Sequence, residues 1–176
     1  MSRGVITRFV HYVNGDIAVT GRSERISAHT VNGTIEVTAE SERVEAQSVG
    51  GRIVLKNIHG DVTATTVGGE IDVEGGRFER GKFSSVSGSI QFTGGLDAKA
   101  VLQTESHSGD VVLTLPAEVS AEFEVTSFSG RIHNDFGSSG SGRQHGPGRQ
   151  LSFSTGQGDA RVTINTFSGD VQLVKK

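Results

Sequence analysis

The sequence predicts an all-β fold, a single parallel β-solenoid in which one short unit winds about nine times. Three observations predict it. A five-residue motif recurs along the chain: an apolar residue, then Asn, Gly or Ser, then Gly, any residue, and Ile or Val. Its copies stand at a nearly constant interval. Between them, apolar and polar residues alternate with a period of two, the pattern of strands that bury one side.

The motif reads VNGDI from Val13, VNGTI from Val31, VGGRI from Val49 and VGGEI from Val67. It continues as VSGSI from Val86, HSGDV from His107, FSGRI from Phe128 and FSGDV from Phe167. The intervals are 18, 18, 18, 19, 21, 21 and 39 residues, the last about two periods and holding a degenerate copy, STGQGDARV from Ser154. A fixed period marks a repeat architecture, in which each unit buries its apolar side only against its neighbours. Within one unit, Ile26, Ala28 and Thr30 share one side, and Ser27 and His29 the other. After the Asn32-Gly33 turn, Ile35 and Val37 rejoin the first set while Glu36 points away. Asn-Gly pairs also close β-hairpins. A meander of hairpins, however, does not require both strand types to repeat at one interval, so stacking in register is the preferred reading.

In the stacked arrangement Gly15, Gly33, Gly51, Gly69, Gly88, Gly109, Gly130 and Gly169 form one corner column. Such a column is expected where the backbone turns with positive φ. The column of Thr30, Ser48, Thr66, Ser85, Ser106, Ser127 and Thr166 faces inward, so its hydroxyls are expected to bond corner backbone groups. Layers ~4.8 Å apart give a rod roughly 40 Å long. Arg8 falls where later coils place Ile26 and Val44, which marks the first coil as a cap or as the continuation of an earlier one. Lys175 and Lys176, after Val171, Leu173 and Val174, read as guards of an edge strand. The whole chain, 1–176, is one domain. The polar stretch GSSGSGRQHGPGRQ from Gly137 to Gln150 reads as a flexible loop insertion projecting from the rod.

Composition narrows the function. Seventeen Lys and Arg against 20 Asp and Glu give a net charge of −3, with no basic stripe to displace counterions from phosphates, so nucleic acid is not an expected partner. There is no cysteine, hence no disulfide framework and no thiolate metal site. No apolar run is long enough to span a membrane, and Met1 to Val10 lacks the apolar stretch of a secretory signal. Gly-Asp pairs suggest a calcium roll, but the column after the corner glycine holds Asp16, Thr34, Arg52, Glu70, Ser89, Asp110, Arg131 and Asp170. Arg and Thr there dismantle a repeated oxygen site, leaving Gln157-Gly158-Asp159 as the least implausible place. His29, His59 and His133 share no column, His11 and His107 lie near corners, and His145 lies in the insertion. No metal and no cofactor are therefore expected. The acids Glu36, Asp72, Glu45 and Glu124 are interrupted by Val54, Gln47 and Thr126 rather than gathered in a cleft. Phe83, Phe92, Phe123, Phe128, Phe153 and Phe167 are read as inward, leaving Tyr12 as the other ring and no platform for sugars. Thr63 and Thr65 make one rung, not an ice-binding ladder. No catalytic residue is assigned.

With its serial VNGDI, VGGEI and VSGSI motifs and the closing stretch GQGDARVTINTFSGDVQL from Gly156, the chain resembles a bacterial adhesin family of β-strand-repeat proteins, a domain of unknown function. The likeness runs from about Val13 onward. It implies a right-handed solenoid, often exported or membrane-anchored, with no catalytic residues to carry over. The expected role is a non-enzymatic cell-envelope or extracellular scaffold binding an unidentified protein or surface component; a cytoplasmic location is the alternative. Two other readings stand beside it. One is end-to-end self-association into filaments of the bactofilin kind. The other is a polysaccharide-acting β-helix enzyme relying on Asp72 and Glu36.

Overall fold

Alternating burial makes strands, and a constant repeat length lets each strand lie on its equivalent. A computed structural model describes residues 7–137 and 148–176, all of them in strands, turns or irregular segments with no helix. The strands in order are β1 (Thr7–Asn14), β2 (Ile17–Asn32), β3 (Ile35–Ser48), β4 (Ile53–Lys56), β5 (His59–Thr66), β6 (Ile71–Ser85) and β7 (Ile90–Ser106). They continue with β8 (Val111–Leu115), β9 (Ala121–Ser127), β10 (Ile132–Asn134), β11 (Arg149–Thr155), β12 (Ala160–Thr166) and β13 (Val171–Lys175). All 13 belong to one sheet wound on itself.

The register follows the repeat. On one wall Ile17, Ile35, Ile53, Ile71, Ile90 and Val111 lie over one another in parallel pairs. On the other, Arg8 lies opposite Ile26, followed by Val44 and Val62. The chain winds continuously through about six turns, β1 to β8, rather than nine, and two further layers are added out of chain order. The difference arises at the ends: before the first corner only β1 is described, and the last stretch does not simply wind onward.

That last stretch changes the order of layers. The chain leaves β8, skips one layer and forms β9 and β10. It then returns as β11, which runs antiparallel to β9, with Phe153 opposite Phe123. The turn from Gly156 to Asp159 crosses the start of β9, where the Ser120 hydroxyl accepts the Gln157 N–H at 2.9 Å and donates to Asp159 Oδ2 at 2.9 Å. β12 then slots between β7 and β9, and β13 between β8 and β10. STGQGDARV is thus a crossing turn and not a further corner. Lys175 pairs with Leu115 of β8, whereas β10 on the other side of β13 stops at Asn134 opposite Leu173, so the lysines stand where β13 is paired on one side only. Arg149 and Gln150 begin β11, which trims the expected insertion, while residues 138–147 lie outside the described residues.

The corner glycines are required by contact rather than by φ. Only Gly15 and Gly33 of that column have positive φ, at 147° and 140°. A Cβ on Gly51 would sit 1.6 Å from the Gly33 carbonyl oxygen, and one on Gly69 would sit 1.9 Å from that of Gly51. The same close approach recurs in the order Gly88, Gly109, Gly169, Gly130, confirming the inverted last layers. The hydroxyl column behaves as expected: the N–H groups of Gly51, Gly69, Gly88, Gly109, Gly130 and Gly169 donate to Ser48, Thr66, Ser85, Ser106, Ser127 and Thr166 at 2.8–3.1 Å.

Inside, columns exchange volume between neighbours. Three layers pair a larger residue with alanine, Ile26 with Ala28, Val44 with Ala46 and Val62 with Ala64. Where Gly81 replaces the large residue, Phe83 supplies the volume, its ring edge 3.1 Å from where a Gly81 Cβ would lie. Phe123, Phe136 and Phe153 close the far end, with ring centroids 4.6 Å apart for Phe123 and Phe153. Among the described residues, one buried side-chain polar atom lacks a partner, Thr104 Oγ1.

Three stability outcomes follow. Gly51→Ala should cost at least about 2 kcal/mol in urea denaturation because backbone must move. Gly68→Ala next to the corner, exposed and with its nearest atom 3.7 Å away, should change stability by less than about 0.5 kcal/mol. Thr104→Val keeps the shape and removes an unpaired hydroxyl, so the midpoint should rise by about 1 kcal/mol equivalent; an unchanged or lower midpoint would mean that Thr104 is satisfied in solution.

Candidate functional site

The first position of each motif follows an inward hydroxyl, and alternation therefore sends it outward. Val13, Val31, Val49, Val67 and Val86 are 36–60% exposed, and Phe128 and Phe167 are each 46% exposed. Phe128 and Phe167 are thus not core residues. Their parity after Ser127 and Thr166 was the available signal, and their apolar character obscured it. Backbone bonds stack these positions into one line: the Val31 carbonyl accepts the Gly50 N–H, Val49 that of Gly68, Val67 that of Ser87 and Val86 that of Ser108, all at 2.8–2.9 Å. The line continues through His107 to Phe167 and Phe128. The His107 and Phe167 rings stack with centroids 5.0 Å apart, and Phe167 and Phe128 with centroids 4.8 Å apart, each pair within 5° of parallel. The result is an apolar ridge one side chain wide, eight layers long.

Its flanks carry almost no charge. The outward column before the hydroxyls reads His11, His29, Gln47, Thr65, Ser84, Glu105, Asn165 and Thr126 in spatial order. The column after the ridge is Asn14, Asn32, Gly50, Gly68, Ser87, Ser108, Ser168 and Ser129. Across ridge and flanks, Glu105 is the one acidic or basic residue besides the histidines. Charge returns one column further on, beyond the glycines.

There the aspartates serve the backbone. Asp16 Oδ1 accepts the Thr34 N–H at 2.7 Å, Asp110 Oδ1 that of Asp170 at 2.9 Å, and Asp170 Oδ1 that of Arg131 at 2.8 Å. Asp170 Oδ2 also takes the Arg131 guanidinium in two bonds, at 3.1 and 3.0 Å. The Arg131 amide, and then its guanidinium, hold the Asp170 carboxyl below its ordinary pKa. Among the described residues no group of three or more His, Cys, Asp or Glu is arranged to hold a metal ion. Asp159, the residue least implausible for calcium, is bonded by Ser120.

The other sequence candidates are scattered. His11 and His29 stack at 6.0 Å, His29 contacts Ser27 at 3.0 Å and His133 contacts Asp135 at 2.9 Å; His145 lies outside the described residues. Glu36 pairs with Lys56 at 3.2 Å, Asp72 with Arg52, and Glu45 accepts from Gln47 at 2.8 Å. Such exposed pairs contribute little to stability. A shallow depression of about 440 Å³ includes Arg43, Asp61, Arg80, Lys82 and Gln103, and there Asp61 already meets Arg43 at 3.1 Å and Arg80 at 3.8 Å. No helix among the described residues is long and apolar enough to cross a membrane.

Comparison with protein families matches residues 10–174 to Toastrack DUF4097, a span that takes in every corner of the ridge. The chain belongs to that family. No curated protein and no solved structure gave a match. The Toastrack domain is one of unknown function, so the family assigns no residue a role; the ridge is identified by its geometry alone.

The Asp170 clasp also generates a test of the inverted layers. Asp170→Ala should speed amide hydrogen exchange in β10 and β13 while leaving β2 and β3 unchanged. A carboxyl with a lowered folded pKa stabilises above its ordinary value of about 3.9 and loses that effect as pH falls. β10 and β13 should therefore loosen on acidification, and unchanged exchange in them at low pH would count against the clasp.

Proposed function

We propose that this Toastrack domain is a non-enzymatic interaction scaffold of the bacterial cell envelope or surface, adhesin-like in use, whose contact surface is the corner ridge. The observation that carries the reading is the continuous line of exposed side chains, seven apolar and one the imidazole of His107, between flanks that carry a single carboxylate, Glu105. Interface cores are depleted in charge and enriched in aromatic residues, and large exposed apolar strips are uncommon on monomers. Because Phe167 is stacked between His107 and Phe128, its faces are covered and its edge points outward, which suits protein contact better than sugar stacking. Glycoside hydrolysis requires two carboxyls flanking one bond; here Glu36 and Asp72 are each engaged by a neighbouring cation. The envelope setting rests on the family resemblance of the motifs.

End-to-end filament growth is the weaker reading. β11 runs antiparallel at one end of the rod, so the two ends do not offer matching parallel edges.

The test is binding of the folded domain to isolated envelope fractions and to a broad panel of surface proteins. Val67→Asp and Phe167→Asp each place a charge on the ridge and should lower binding roughly tenfold or more. Binding that survives both substitutions, or that occurs with no member of the panel, would reject the reading.

A further inference from the structure

The ridge repeats one side chain per layer, every ~4.8 Å. A partner that contacts each layer must present the same spacing, and the surface at hand with that spacing is another copy of the ridge. We propose that two copies of this chain pack ridge to ridge, antiparallel, about a two-fold axis perpendicular to the rods. The inference rests on the ridge being a contact surface and names its occupant.

The direction follows from size and charge. An axis perpendicular to the rods sets each column against its own image with the layers reversed. At full overlap Val13 meets Phe128, Val31 meets Phe167, Val49 meets His107 and Val67 meets Val86, so a bulky ring faces a small side chain wherever rings occur. A parallel dimer would oppose ring to ring at one end and valine to valine at the other, splaying the rods. The charged column beyond the glycines gives the same answer. Reversal sets Asp16 against Arg131 and Arg52 against Asp110, with Thr34 against Asp170 and Glu70 against Ser89. No like charges meet. The flanks are mostly small and uncharged, and their one carboxylate, Glu105, falls opposite Gln47, so the rods approach with little desolvation of ions despite a net charge of −3 on each chain.

The strip is roughly 34 Å long from eight layers and about 15 Å wide, which buries on the order of 1,000 Å² in total. That is the lower end for a specific interface, so the dimer should form reversibly with concentration.

The chain contains no cysteine, which makes disulfide trapping a direct probe of geometry. Equal mixtures of Val67→Cys with Val86→Cys, and of Val13→Cys with Phe128→Cys, should cross-link between chains under mild oxidation. Val13→Cys alone should not, because its two thiols would sit at opposite ends of the dimer. In sedimentation velocity, Phe167→Asp should weaken dimerisation roughly tenfold or more. Asp110→Arg should weaken it as well, and Arg52→Asp added to Asp110→Arg should restore it. Efficient cross-linking by Val13→Cys alone, a monomer at every concentration, or open-ended growth would each overturn the proposal. A monomer that still binds envelope fractions through the ridge removes the dimer alone. A dimer with no envelope binding removes the scaffold reading and leaves the dimer standing.

Discussion

Backbone lies directly on backbone at the corner of this solenoid, with each glycine carbonyl 1.6–2.2 Å from where a Cβ of the next glycine would be. No other residue fits without moving the layers apart. With the layers this close, the corner N–H cannot turn to water and is taken instead by the inward hydroxyl three residues earlier. Once that hydroxyl is committed inward, alternation leaves its successor no choice but the outside. The half-exposed ridge is therefore a by-product of how the corner closes, and its straightness is inherited from the glycine stack beneath it.

Much of this was legible in the residues. The register of Ile17 over Ile35 and Ile53, the inward hydroxyls, and Arg8 opposite Ile26 all follow from counting 18 residues and two-residue alternation. Turn chemistry and close approach select the same residue at the corner, and only distances tell the two reasons for glycine apart. Hydrophobicity alone places Phe128 and Phe167 inside, whereas their position after the inward Ser127 and Thr166 sends them out. The order of the last layers was invisible for a deeper reason. Periodicity says that FSGRI and FSGDV are equivalent to HSGDV, but equivalence does not say which copy lies next to which. That choice is made by contacts between distant residues, such as Ser120 with Asp159 and Asp170 with both Asp110 and Arg131.

Charge is distributed so that it does not compete with the ridge. Arg22 and Glu40, Arg43 and Asp61, and Arg161 and Glu122 satisfy one another between neighbouring layers, away from the corner. Arg22 bonded to Glu40 holds that carboxyl below the ordinary carboxylate range although both are exposed. These pairs act as solubilising cover on the two walls, and the uncharged strip stands out against them.

The slot filled by β12 and β13 has a consequence for biosynthesis. The two layers that bound it, β7 with β8 and β9 with β10, are translated before the segment that joins them. A nascent chain therefore carries two facing, unzipped strand edges until residues 160–175 have left the ribosome. Assembly cannot proceed purely layer by layer from the N-terminus, as it can in a simple repeat array. The joining step is a closure over a separation of 60 residues between Val111 and Val171, which makes residues 160–175 the keystone of these layers.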